Sequence, residues 1–197
     1  MYKLGITGGM GSGKSTAADF LLQKGAIVFD ADEEAKKHLL SHLELQNRII
    51  DIFGAPVIRE NRLDLLRLSE HVFSSKDRQS SLNSIIWPEV YTLIVSASEK
   101  AELDRSNLFV VDAALLLEAD YTDFFNSILL ITAKKSIRVK RIQLRQNIPE
   151  DQIEKRMVLQ MSESEKQKKT HSIIENNGNL QNLHLQLELF LKKLNIN

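Results

Sequence analysis

Gly8-Gly9-Met10-Gly11-Ser12-Gly13-Lys14-Ser15-Thr16 lies between an apolar segment, Leu4-Gly5-Ile6, and a helix-like run, Ala17-Ala18-Asp19-Phe20-Leu21-Leu22. This is G-x-x-x-x-G-K-[ST] between a strand and a helix, the context that turns a pattern match into a phosphate-binding loop. Glycines let successive backbone N–H groups turn inward around an anion. The helix that starts there adds the positive end of its dipole. The pattern assigns Gly9, Gly11, Ser12, Gly13, Lys14, Ser15 and Thr16 to nucleotide binding. Within it, Lys14 supplies a point charge to the outer phosphates and Ser15 a hydroxyl for Mg²⁺.

Outward from the loop, Tyr2 to Thr7 reads as a short buried strand, and the helix runs to about Lys24, closed by Gly25. Ala26-Ile27-Val28-Phe29 reads as a second strand ending in Asp30-Ala31-Asp32. Strand, helix, strand in that order is a βαβ unit and predicts a parallel sheet. Leu108 to Val111 is a third strand, ending at Asp112; Ile128 to Ile131 is a fourth; His171 to Ile174 is a fifth, closed by Asn176-Asn177-Gly178. Between Glu33 and Lys100 the apolar spacing is mostly helical. Gly54-Ala55-Pro56 breaks that run, and a further helix is expected after Pro88. So long a stretch exceeds a simple crossover. The expected architecture is a three-layer α/β fold of the P-loop NTPase type with a five-stranded parallel sheet. Residues 1–32 and 101–197 form its core and 33–100 a helical insertion. Leu180, Leu183, Leu187, Phe190, Leu191 and Leu194 share one face of a C-terminal helix, read as core packing.

Composition narrows the function classes. Lys+Arg and Asp+Glu both number 26, so the net charge is zero, which argues against a general nucleic-acid or membrane-surface binder. The balance is uneven: residues 134–169 hold 11 basic and 5 acidic residues. That segment suits either a polyphosphate or a solvated helical face. There is no cysteine, which excludes disulfides and thiolate metal sites. The opening strand, with no leader-like or membrane-length apolar run before it, is expected of a cytoplasmic protein.

Three sets of residues outside the loop are candidates for chemistry. Asp32 lies just beyond the second strand, and open α/β sheets bind ligands outside the carboxyl ends of their strands. A carboxylate there accepts a proton from an attacking hydroxyl, or else caps the following helix; Asp30 competes for either role. Asp112 closes the third strand after four apolar residues, the Walker-B pattern that sets a carboxylate near Mg²⁺. Arg138, Arg141 and Arg145 recur on one helical face, suited to phosphate oxygens or to ion pairs with Glu150, Asp151 and Glu154. His38 and His42 have metal-compatible spacing without an evident third ligand, and Asp51-Ile52-Phe53-Gly54 mimics a GTPase switch without any N-K-x-D partner. Both are set aside.

With the loop, Asp30-Ala31-Asp32, the segment Asp112 to Glu118 and Ile174-Glu175-Asn176-Asn177-Gly178 in view, the chain resembles dephospho-coenzyme A kinase from about Lys3 to Leu191. Phe53-Gly54, Leu63-Asp64, Val72-Phe73 and Leu82-Asn83 match that family's helical insertion. The segment Arg141 to Arg145, then Arg156, Gln160 and Glu163-Ser164-Glu165, match its later part. The resemblance implies transfer of the ATP γ-phosphoryl group to the ribose 3′-hydroxyl of dephospho-CoA. It implies ATP and Mg²⁺ as requirements, a monomer or weak homo-oligomer, and a small helical lid over about 141–165. Asp32 would be the base, Lys14, Arg141 and Arg145 would join it in catalysis, and Ser15 and Asp112 would hold the metal. The chain departs from the family at Trp87, where His is usual before Pro88, and at Ala114, where a Pro is usual. Leu65 replaces a frequent Arg, and His171 a common Asp. Two other readings of the loop are a different small-molecule kinase and a nucleotide-binding switch that does no chemistry.

Overall fold

The apolar run around Gly5 becomes β1 (Tyr2–Thr7), the middle strand of a five-stranded sheet. The structure, a computed structural model, describes residues 1–146 and 149–196; residues 147 and 148 of the expected lid, and residue 197, lie outside the described residues. The sheet also contains β2 (Ile27–Asp30), β5 (Leu108–Asp112), β6 (Ser127–Thr132) and β7 (Ser172–Glu175), in the order β2-β5-β1-β6-β7. Every pairing in it is parallel, as the βαβ reading predicts. The fourth and fifth strands each run a residue further than the apolar runs suggest.

Alternation within β1 sorts its side chains between two faces. Leu4 and Ile6 are fully buried against Ala17, Phe20 and Leu21 of α1 (Lys14–Gln23) and against Leu183, Leu187 and Phe190 of α9 (Leu180–Lys193). The helix therefore packs as core through Leu183, Leu187, Phe190, Leu191 and Leu194, as its apolar face predicts, while Leu180, in its first turn, is exposed. On the opposite face Leu116 and Phe125 press on Gly5 so closely that a Cβ there would lie 2.8 Å from Leu116. Register brings three strand ends level: Ile6 and Asp30 both stand opposite Asp112. At the other end of the sheet His171 begins β7's pairing, donating its N–H to the Ile128 carbonyl and accepting the Ile128 N–H through Nδ1.

The chain divides into two compact units. The first is Met1–Ala31 together with the chain from Ile94 onward, and holds the sheet. It also holds α6 (Lys135–Gln146), α7 (Glu150–Val158) and α8 (Glu163–Lys168). Val139, Ile142 and Ile153 of these helices form a small core of their own, joined by Met10 and Met157. The second unit, Asp32–Leu93, is built from α2 (Ala31–Ser41), α3 (Leu43–Phe53), α4 (Leu65–Val72) and the first part of α5 (Lys76–Leu103). Its core gathers Leu39, Leu45, Ile49, Val57, Leu68, Val72 and Ile85. Among the described residues no helix is long and apolar enough to cross a membrane.

Two features of this unit differ from the sequence reading. A two-stranded antiparallel hairpin, β3 (Ile58–Arg59) with β4 (Arg62–Leu63), turns at Glu60 and Asn61, both in the left-handed region. Two-residue strands are too short to leave a periodic signal. Helix α5 also runs through Pro88 instead of restarting after it. A proline costs a helix one backbone hydrogen bond and some strain. Burial of Ile85 and Ile94 on either side offsets that cost.

Candidate active site

The loop between β1 and α1 is shaped by backbone conformations that glycine adopts without strain: φ is 79° at Gly11 and 97° at Gly13. Crowding reinforces the choice, since a Cβ on Gly11 would lie 2.6 Å from the Arg138 carbonyl, and one on Gly13 would overlap Asn176 Nδ2. Gly13 is also the N-cap of α1 and has no side chain to occupy the first amides of that helix. The helix start is thereby left for an anion.

The loop's carbonyls are held by named donors. Gly9 C=O accepts the Ser12 N–H at 3.0 Å, and Gly13 C=O accepts the Ala17 N–H at 3.1 Å. Met10 C=O accepts Arg138 Nε at 2.9 Å. Ser12 C=O accepts Asn176 Nδ2 at 2.9 Å and Arg141 Nη1 at 3.3 Å. In a trans peptide the carbonyl and the next residue's N–H point opposite ways. Holding Met10 C=O and Ser12 C=O against these side chains therefore turns the N–H groups of Gly11 and Gly13 to the other side. That is the arrangement an anion-binding loop needs.

Charge is concentrated on the same rim. Lys14 Nζ pairs with Asp112 Oδ1, and both side chains are nearly buried. The strand-end carboxylate and the loop lysine, 98 residues apart in sequence, thus meet on this rim. The Ser12 hydroxyl is buried with no hydrogen-bond partner. Ser15, in the first turn of α1, is exposed. Asp32 is exposed in the first turn of α2, two residues beyond the end of β2, and belongs to the second unit.

Of the arginine series, Arg141 touches the loop: besides Ser12 C=O it donates through Nη2 to the Asn176 carbonyl at 3.0 Å. Arg145, one turn on, is exposed. Arg138 is the buried member, 6% exposed, and its Nη1 meets Glu163 Oε1 at 2.5 Å. Glu163 Oε2 in turn accepts the Thr132 hydroxyl at 2.5 Å, and Gln160 Oε1 accepts the Met10 N–H at 3.1 Å. Gln160, Glu163 and Asn176 were not among the candidates for chemistry, although they lie in the segments that carry the family resemblance; Arg138, a candidate for phosphate oxygens, is here bonded to the Met10 carbonyl and Glu163. Among the residues where the chain departs from the family, Leu65 packs on the second unit's core, Trp87 is half-buried in α5, and the Ala114 carbonyl accepts the Thr7 hydroxyl at 3.4 Å.

Comparison with known proteins agrees with this geometry. Residues 2–182 match the family described as dephospho-CoA kinase, CoaE. A dephospho-CoA kinase of Salinibacter ruber is 35% identical over 184 residues, covering 93% of this chain and 92% of the relative. Among solved structures, the TT1252 protein of Thermus thermophilus superposes with a TM-score of 0.80 at 32% identity, covering 98% of this chain and 97% of the other. A dephospho-CoA kinase from Campylobacter jejuni, 23% identical with a TM-score of 0.67 over 98% of this chain and 96% of that one, shares the fold. The chain belongs to the dephospho-CoA kinase family, ATP-dependent P-loop kinases of the final step of coenzyme A biosynthesis.

Proposed function

We propose that the chain moves the ATP γ-phosphoryl group onto the ribose 3′-hydroxyl of dephospho-CoA, with Asp32 accepting the hydroxyl proton. The observation that carries this reading is the loop itself, whose Gly11 and Gly13 amides face away from the side chains that hold its carbonyls, beside the Lys14–Asp112 pair. Phosphoryl transfer depends on positioning and charge neutralisation more than on covalent chemistry. Lys14 neutralises the outer phosphates, and Arg141 and Arg145 add charge from α6. Asp32 stands two residues past the carboxyl end of β2, the side of a parallel sheet where ligands bind. The ribose hydroxyl is a weak acid, so Asp32 mainly orients it and takes the proton late. Residues 33–100 hold the acceptor, and 141–165 close over ATP to exclude water.

The residues present fit Mg²⁺. The Asp112 carboxylate and the Ser15 hydroxyl are hard oxygen donors flanking the loop, and Mg²⁺ takes few protein ligands beside water and phosphate. Among the described residues no cluster of three or more His, Cys, Asp or Glu forms a cage of its own. When bound, Mg²⁺ supplies positive charge to the phosphoryl oxygens. The proposed setting is the cytoplasm, since a chain without cysteine suits a reducing compartment.

The test is incubation with Mg·ATP and dephospho-CoA, followed by mass analysis. Coenzyme A formed by the natural chain and not by Lys14→Ala supports the reading. ATP binding without coenzyme A would direct attention to another hydroxyl acceptor.

A further inference from the structure

One short segment, Gln160 to Lys166, reaches the carboxyl ends of three neighbouring strands. Gln160 accepts the Met10 N–H on the loop after β1. The Met161 N–H donates to Glu118 Oε1 at 2.9 Å, in the stretch after β5. Glu163 accepts the Thr132 hydroxyl at the end of β6. Lys166, fully buried, donates to the Ala114 carbonyl at 3.2 Å and lies 3.4 Å from Glu118 Oε1.

These contacts converge on a single residue, Met10, and so on the two peptides that flank it. The N–H of Met10 is taken by Gln160, and its carbonyl by Arg138, which Glu163 holds in place. Both polar edges of Met10 are thus governed from one segment, directly at the N–H and through Arg138 at the carbonyl. The direction of the Met10 carbonyl fixes that of the Gly11 N–H. A strut whose role was only to hold the sheet together could use apolar contacts at less desolvation cost. Here the contacts are polar and end on the rim where the nucleotide phosphates bind.

We propose that Gln160 and Arg138, braced by Glu163, are positioning residues for phosphoryl transfer: Gln160 fixes the Gly9–Met10 peptide and Arg138 the Met10–Gly11 peptide, and together they aim the Gly11 amide at ATP. The inference rests on reading the loop as the ATP site, not on the identity of the acceptor. Because Gln160 lies two residues past the end of α7, its N–H bonded to the Met157 carbonyl, displacement of α7 is transmitted to the loop.

Gln160→Leu keeps the bulk of the side chain and removes the acceptor. ATP affinity is measured by titration calorimetry on the full chain with Mg·ATP, beside the KM for dephospho-CoA and the ¹⁵N–¹H resonance of Gly11. The expected result is about tenfold weaker ATP binding, an acceptor KM within twofold of the natural chain, and a displaced Gly11 amide. Gln160→Glu, which restores an acceptor oxygen, returns the Gly11 resonance toward its original position. Unchanged ATP affinity and an unchanged Gly11 amide in Gln160→Leu would overturn the proposal. So would an equal loss of affinity for both substrates, which marks a structural role. Should Gln160→Leu fail to fold, Arg138→Lys, which keeps the charge but cannot span Met10 and Glu163 together, decides by the same readouts. Failure to make coenzyme A with ATP binding intact would count against the acceptor reading alone.

Discussion

Asn176 Nδ2 donates to the Ser12 carbonyl at 2.9 Å, joining the residue after β7 to the phosphate loop across 164 positions of sequence. Asn176 is 6% exposed, so the bond is shielded from water. Asn176→Leu leaves the Ser12 carbonyl to Arg141 alone. We expect it to lower unfolding free energy by about 1–3 kcal/mol, read by urea denaturation, and to weaken ATP binding through the Gly13 amide. Unaltered stability and ATP affinity would contradict the carbonyl-holding role assigned to it.

Lys14→Ala removes the charge that faces both Asp112 and the expected phosphates. Turnover should fall at least about 10²-fold, the usual loss when a preorganised electrostatic group is removed. Circular dichroism matching the natural chain would show that the loss is chemical and not a failure to fold.

Asp32→Asn separates proton acceptance from nucleotide binding. Asparagine keeps the size and shape of this exposed side chain, so the fold should persist. A drop in kcat of about 10²–10⁴-fold, with ATP still bound at natural affinity, is expected. Near-normal turnover would remove Asp32 from the role of base.

Asp64 provides a pH-dependent prediction away from the loop. It is the N-cap of α4, accepting the Arg67 and Leu66 N–H groups at 3.0 and 2.9 Å. The Arg67 amide foremost, then that of Leu66 and the charges of Arg59 and Arg67, hold its carboxyl below the ordinary value. A depressed folded-state pKa stabilises the protein above the unfolded-state pKa, and that contribution is lost as pH falls through the folded-state value. Asp64→Ala should therefore lower the Tm at neutral pH, with the difference shrinking as the solution is acidified below pH ~4. A Tm difference independent of pH would refute the charged cap.

What the sequence discloses follows from how local each feature is. The loop, Lys14 included, was legible because its glycines, its lysine and its helix are contiguous, and Asp112 because it closes its own strand pattern. Asp64 before Leu65 and Leu66 carried no marked signal, though the structure makes it a helix cap. The hairpin at Glu60 and Asn61 left only an Asn as a trace. Pro88 misleads because local propensity disfavours a helix that tertiary burial sustains. The bonds that tie Arg138 and Gln160 to the loop were out of reach for another reason. Their partner Met10 is 128 and 150 residues away, and no periodicity records such a pairing.

The placement of β1 in the middle of the sheet bears on how the chain emerges from a ribosome. Its partners are β5 and β6, which begin at Leu108 and Ser127. Of the two donors that hold the Ser12 carbonyl, Asn176 comes later still. At about 5–20 residues per second, the first strand waits several seconds or more for a neighbour, while Asp32–Leu93 has its whole core in one unbroken stretch. The helical unit is thus free to fold during synthesis. The loop's full set of donors awaits the synthesis of Asn176, so a fragment truncated before it lacks one of those that shape the loop for ATP.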